Sequence, residues 1–340
     1  MEARTAVLVT GSSGFVGTRL AGELARRGTS VRALVRAGSD LGGLGDPRIQ
    51  PVAGDVLEPE SLRRAAAGCR EVYHLAAHAR AWARDPATFC RVNVEGTRHL
   101  LEAARRAGVR RVVVASSVVT LGDTPPCTVG DEGSPRSRRP LTEYEASKLE
   151  AEREALRASG DGLEVVVVNP TRVYGQGKWT EGNSVSRYID LYTRGRLPFL
   201  LAGGGAVANY AYVEDLVSGF MAAMERGRPG ERYILGGENA TLRRLLDLVD
   251  DASGRRHLRL PLPAGLARGI ARLEVFRAHW LGGSPLITPG WLETFLLDGA
   301  FSCAKAEREL GYRITPLAEG IHRTWQWIER RQEGAHELEP

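Results

Sequence analysis

Thr10-Gly11-Ser12-Ser13-Gly14-Phe15-Val16-Gly17 is the stretch whose reading decides the fold. It follows the apolar run Ala6–Thr10 and opens the amphipathic stretch Gly14–Arg27. Gly11 permits a tight turn, Gly14 lets a pyrophosphate approach backbone N–H groups, and Gly17 lets a helix lie close to a strand. A helix N-terminus at this point adds a favourable dipole for phosphates. A glycine motif alone is weak. This one occupies a strand–turn–helix junction at the start of the chain, which is the context that gives it meaning. The whole block, with Ser12, Ser13, Phe15 and Val16, is therefore the candidate phosphate cradle.

The chain beyond it alternates in the same way. Valine-rich runs at Val31–Val35, Ile49–Ala53, Val72–Leu75, Val112–Ser116 and Val165–Val168 read as buried strands. Amphipathic stretches at Pro86–Ala107 and Thr142–Ser159 read as helices between them. Such alternation predicts an α/β fold, a doubly wound parallel sheet with helices on both faces. After Pro170 the pattern loosens. Helices are expected around Ser184–Arg194 and Val213–Glu225, a strand at Arg232–Leu235, and a mostly helical remainder broken by prolines. Leu317, Ile321, Trp325 and Ile328 form one stripe on a last helix and read as core. The expected division is a sheet domain over 1–170 plus about 207–226, a smaller helical domain over 171–206 and 227–332 that binds substrate, and a flexible tail over 333–340.

Composition bounds the class. With 340 residues, 43% hydrophobic and 26% charged, the chain can bury a core without disulfides or metals. The net charge is +5, but only Lys148, Lys178 and Lys305 among the 46 basic residues are lysines. The arginines are scattered, which argues against a nucleic-acid footprint. The four cysteines have no metal-ligand or CxxC spacing. No apolar run reaches the ~18 residues of a membrane span, and the N-terminus does not read as a signal peptide. The expectation is a cytoplasmic protein with no membrane span, no nucleic-acid partner and no metal.

Three further positions carry chemistry. Arg36 ends the second strand, where a carboxylate would bind an adenosine ribose; an arginine there suits a 2′-phosphate instead. A solvated surface arginine is the rival reading, and nearby Asp40 could serve a free ribose. In Tyr144-Glu145-Ala146-Ser147-Lys148, Thr142 and Glu145 form a capping box, so the helix starts near Glu143 and places Tyr144 and Lys148 on one face. A tyrosine titrates near 10, and an adjacent ammonium would lower that toward working pH. Ser116-Ser117 ends the fifth strand, facing the ligand crevice. His74 and His78 lack a third ligand and read as structural.

As a set, these motifs resemble the extended short-chain dehydrogenase/reductase superfamily. Beyond those quoted, Gly54-Asp55-Val56, His74-Leu75-Ala76-Ala77, Asn93-Val94-Glu95-Gly96-Thr97 and Asn169-Pro170-Thr171-Arg172-Val173-Tyr174-Gly175 follow in the family's order. The chain is most similar to the dihydroflavonol-reductase group, including hopanoid-associated sugar epimerase-like proteins, and is also similar to 3β-hydroxysteroid dehydrogenases. The resemblance implies a Rossmann sheet and a catalytic set of Ser117, Tyr144 and Lys148. It puts Asp55 and Val56 beside adenine, Ala76 and Ala77 along the cofactor groove, and Pro170, Val173 and Tyr174 near the nicotinamide. Asn93 would support the active-site strand. Trp82, Tyr174, Trp179, Asn209 and Tyr210 are substrate-region candidates, with core packing the rival for the tryptophans.

Three functions remain open. The favoured one is a ketone reductase or alcohol dehydrogenase using NADP(H), with NAD(H) possible. The second is a nucleotide-sugar epimerase or dehydratase with tightly held NAD. The third is a non-catalytic cofactor sensor. The apolar region Leu258–Leu297 suggests an apolar small-molecule substrate, with a core or a dimer contact as rival explanations. A homodimer through the Pro86–Ala107 and Thr142–Ser159 helices is what the family implies.

Overall fold

The computed structural model describes residues 6–136, 138–285 and 287–336. In chain order the strands are β1 (Ala6–Thr10), β2 (Val31–Val35), β3 (Ile49–Ala53), β4 (Cys69–His74), β5 (Arg111–Ala115), β6 (Glu164–Pro170), β7 (Arg172–Tyr174), β8 (Phe199–Leu201), β9 (Val207–Tyr212), β10 (Arg232–Leu235), β11 (Glu238–Thr241) and β12 (Leu260–Leu262). The helices are α1 (Phe15–Arg26), α2 (Pro59–Ala66), α3 (Ala87–Cys90), α4 (Gly96–Arg106), α5 (Glu143–Arg157), α6 (Ser184–Thr193), α7 (Val213–Arg226), α8 (Leu242–Ser253), α9 (Ala264–Leu281), α10 (Pro289–Leu296), α11 (Ala304–Leu310) and α12 (Leu317–His336).

Seven parallel strands form the main sheet in the order β10-β6-β5-β4-β1-β2-β3. The valine runs of β5 and β6 are buried, as a sheet covered on both faces requires. Pro51 lies in β3, an edge strand where its missing N–H costs no central ladder bond. One cluster packs α1, α7 and α11 on one face of the sheet. A second packs α2, α4 and α5 on the other. The remaining residues build a smaller, helix-rich lobe around β7, β9 and β11, with Leu317, Ile321 and Ile328 of α12 fully buried in its core. This is a Rossmann-like doubly wound sheet with a helical C-terminal region.

Differences from the sequence reading have local causes. β4 begins at Cys69 rather than Val72, because parallel pairing with β1 carries the strand through polar Arg70 and Glu71. β5 begins at Arg111, a buried arginine that donates to Glu164 and to the Met224 carbonyl, both at 2.6 Å. Pro86–Ala107 is not one regular helix: Arg91–Glu95 between α3 and α4 is π-helical. β10, expected in the second domain, joins the main sheet beside β6. Helix α12 continues to His336, so Glu333–His336 is helical rather than tail, and 337–340 lie outside the described residues.

Candidate active site

β1 leads to one side of the sheet through β2, and β4 leads to the other, so the loops after β1 and β4 border the topological switch point. There the glycine requirement is steric. Gly11 has φ +68°, and a Cβ on it would sit 2.6 Å from the Leu75 carbonyl carbon. A Cβ on Gly17 would run into the Gly11 carbonyl oxygen. Gly14 caps α1 without a side-chain bond, and no acidic residue stands in the first helical turn. The first-turn N–H groups are thus left for an anion. Ser12 departs from expectation. It is fully buried, and its hydroxyl donates to the Leu34 carbonyl at 2.9 Å, so only its neighbours face the cleft.

The cleft above the sheet has a volume of ≈ 910 Å³, at the upper end of the range for small-molecule sites. Gly11, Ser13, Gly14, Phe15, Val16 and Gly17 line it, with Arg36, Asp55, Val56, Ala76, Ala77, Pro170 and Val173. Arg36 is exposed and makes no ion pair among the described residues. Asp40 instead meets Lys178 from the second lobe, Nζ to Oδ2 at 3.0 Å, a contact that bridges the cleft. The geometry and charge of this wall fit a dinucleotide, with Gly11, Gly14 and Gly17 under the pyrophosphate.

At the centre of the cleft are Ser117, Tyr144 and Lys148. Thr142 caps α5 by accepting from the Glu145 N–H at 3.1 Å, and α5 starts at Glu143 as expected. The capping box is not reciprocal: the Glu145 carboxylate, 2% exposed, takes the Leu141 N–H and the guanidinium groups of Arg136 and Arg138, all at 2.9 Å. Ser117 and Tyr144 line the same cleft, and Ser117 is close enough to act on the Tyr144 hydroxyl. Ser116 is turned away and donates to Glu152 at 2.5 Å, which separates the roles of the two adjacent serines.

The electrostatics correct one expectation. Burial pushes the Tyr144 hydroxyl up to about 12, and nearby Ser117 opposes the shift. Lys148 does not lower it; its ammonium donates to the Ala115 carbonyl at 2.6 Å. Burial brings Lys148 itself down to about 8, against the attraction of Glu152. The protein alone therefore holds Tyr144 protonated at neutral pH, in a state to donate a proton.

Several supporting residues escaped the sequence reading. Glu152, 2% exposed, also accepts from Thr120 at 2.8 Å, Asn169 at 2.7 Å and Arg232 at 3.0 Å, tying the ends of β5 and β6 to α5. Its only sequence signal is the four-residue spacing from Lys148. Trp291 of α10 packs 6.2 Å from the Tyr144 ring. Arg172 lies 4.7 Å from the Phe295 ring and donates to the Thr294 carbonyl at 3.1 Å. Asn93 does support the site: it accepts from the His78 N–H at 2.7 Å and donates to Ser147 at 2.8 Å, and Ser147 donates to the Tyr144 carbonyl at 2.9 Å.

The substrate candidates divide. Trp179 lines the cleft and packs 4.8 Å from Trp327. Asn209 borders the cleft, but its amide is bonded to Gly237, Asn239 and Phe301. Tyr174 is a correction: it is fully buried in the core of the second lobe, 5.7 Å from Tyr212. Tyr210 is likewise buried in that core, and Trp82 lies outside the cleft lining. His74 is buried between Thr10 and Thr97 and held near 3 by burial, hence neutral. No cluster able to hold a metal occurs among the described residues.

Comparison with known proteins agrees with this architecture. The family described as NAD dependent epimerase/dehydratase matches residues 7–236. The chain is 34% identical to sterol demethylase protein B of Methylococcus capsulatus, over 78% of this chain and 80% of that protein. It is 35% identical to the 4-hydroxy-2-methyl-3-oxo-4-farnesyl-3,4-dihydroquinoline-1-oxide ketoreductase of Stigmatella aurantiaca, over 90% and 92%. The crystal structure of gox2253 superposes with a TM-score of 0.81 at 32% identity, covering 96% of this chain and 98% of that one. With the glycine cradle at the switch point and the match over residues 7–236, the chain belongs to the NAD dependent epimerase/dehydratase family.

Proposed function

We propose that this protein is an NADP(H)-dependent carbonyl reductase acting on a lipophilic ketone. The observation that carries the reading is a protonated Tyr144 lining the cleft with Ser117, beside an aromatic wall of Trp291 and Phe295. The nicotinamide, when bound, supplies the hydride. Tyr144 donates the proton to the developing alkoxide, Ser117 hydrogen-bonds the same oxygen, and Lys148 orients the ribose beside them. Arg36, exposed on the cleft wall, pairs with a 2′-phosphate. Two relatives support the substrate class by name, one a sterol demethylase component and one a ketoreductase of a farnesyl-bearing substrate.

The test is NADPH oxidation against a panel of steroid, terpenoid and small aromatic ketones, with NADH in parallel. Stoichiometric NADPH consumption with a lipophilic ketone is the expected result. Conversion of a nucleotide sugar with no net change in cofactor would overturn the reading. A kcat/KM favouring NADH would overturn the role of Arg36 alone.

A further inference from the structure

Helix α9 is built inside out. Its buried residues are small, Ala267, Ala271 and Ala278. Its large apolar residues Leu266, Ile270, Leu273, Phe276, Trp280 and Leu281 are all exposed, Trp280 by 70% and Leu281 by 82%. Leu266, Ile270, Leu273, Phe276 and Trp280 recur at intervals of three and four residues, and with adjacent Leu281 they make one continuous stripe. Exposed apolar residues scattered singly need no explanation, whereas a contiguous stripe marks an interaction surface.

The charge around the stripe narrows the partner. Residues 255–285 carry six arginines and one glutamate. Arg268 and Arg272 follow one flank of the stripe. Three of the six are paired, Arg259 with Asp247 and Asp250, Arg268 with Glu293 and Arg277 with Glu274. Arg255, Arg256 and Arg272 are exposed and make no side-chain ion pair among the described residues. A second copy seated on this face would bring two such positive surfaces together, while a surface rich in phosphate complements them. No described helix is long and apolar enough to cross a membrane. An exposed apolar stripe flanked by arginine and ending in tryptophan has the pattern of a helix lying in the membrane interface.

The position of α9 connects this surface to the cleft. Leu292 of α10 packs on Ala267 and Ala271 of α9. From the same α10, Trp291 meets Tyr144 and Phe295 meets Arg172. One short helix thus separates the exposed stripe from the site.

We infer that the apolar face of α9 docks the protein on the surface of an anionic lipid bilayer, beside the mouth through which a lipophilic substrate enters. Docking is independent of the reductase reading; the delivery of substrate rests on it.

The test is co-sedimentation of the full chain with vesicles of phosphatidylcholine alone and of phosphatidylcholine mixed with phosphatidylglycerol. The wild-type protein is expected to pellet with the mixed vesicles and to be released by salt. Leu273→Glu with Trp280→Glu should weaken binding at least about tenfold, since both remove buried apolar contact with the acyl boundary. Arg256→Glu with Arg272→Glu should abolish the preference for mixed vesicles. These positions lie outside the cleft lining, so thermal midpoint and turnover of a water-soluble ketone should match the wild type. That control separates failure of docking from failure of the reductase reading. Wild-type protein left in the supernatant with both vesicles, or an apolar double variant that binds as well as wild type, would overturn the inference. So would a wild-type dimer that the apolar variant splits while neither binds vesicles.

Discussion

Lys148 shows how a single residue is held at a cost to stability. Its ammonium is buried and titrates at about 8 rather than 10.5. The folded state therefore binds its proton less well than the unfolded chain does. The sign follows from proton linkage: the penalty is full below about pH 8 and fades as the pH rises toward 10.5. Lys148→Met should raise the stability of the cofactor-free protein at pH 7 by about 1–2 kcal/mol, the lost bond to the Ala115 carbonyl offsetting part of the gain. Urea melts at pH 7 and pH 10 check this, with the difference expected to shrink at the higher pH. Turnover in the same variant should be lost. Tyr144→Phe should lower kcat by about a thousandfold or more by removing the proton donor, while the Kd for NADPH, read by fluorescence, stays nearly unchanged.

Among the elements, the junction of β5, β6 and α5 depends on one buried carboxylate. Glu152 takes bonds from Ser116, Thr120, Asn169 and Arg232. Glu152→Ala would leave the Ser116 hydroxyl without its acceptor and Arg232 without its buried counter-charge, while Thr120, Asn169 and Arg232 keep their bonds to the Ser117 and Glu132 carbonyls. The change should cost about 3–5 kcal/mol, visible as a large fall in Tm. Asn93 acts more locally, in the π-helical stretch between α3 and α4. π-turns of this kind often occur at functional positions. Asn93→Ala frees the loop after β4 and Ser147 below Tyr144. The expected result is a drop of about 2 kcal/mol in stability, with kcat reduced and KM for the ketone little changed.

At the scale of the molecule, polar contacts join the sheet to the second lobe, among them the ion pairs Arg80–Glu181 and Lys178–Asp40. Lys178 reaches from the second lobe to Asp40 beyond β2. Lys178→Ala should raise the NADPH dissociation rate about threefold, an effect that high salt removes because the Asp40 side chain is exposed. Stopped-flow displacement measures it. Asp215 of α7 also couples the two, accepting both the N–H and the hydroxyl of Thr315 at 2.7 Å, just before α12.

Most of the main sheet was legible because its strands are short valine runs and its turns need glycine. β2, β3 and β10 follow the expected bounds, and α5 starts at its capping threonine. The sequence also determined the glycine turn after β1 and the placing of Tyr144 and Lys148 on one helix, since both depend on spacing within one strand–turn–helix unit or one helix. Tertiary structure alone decided the rest. It turned Ser116 to Glu152 and set Ser117 in the cleft lining with Tyr144. It spent Tyr174 and Asn209 on the core, and it brought Trp291 to the site from more than a hundred residues away. It also faced the alanines of α9 inward and its leucines outward. Both faces of that helix are apolar, so periodicity carries no sign to tell them apart; the close approach of α10 admits only the small side chains.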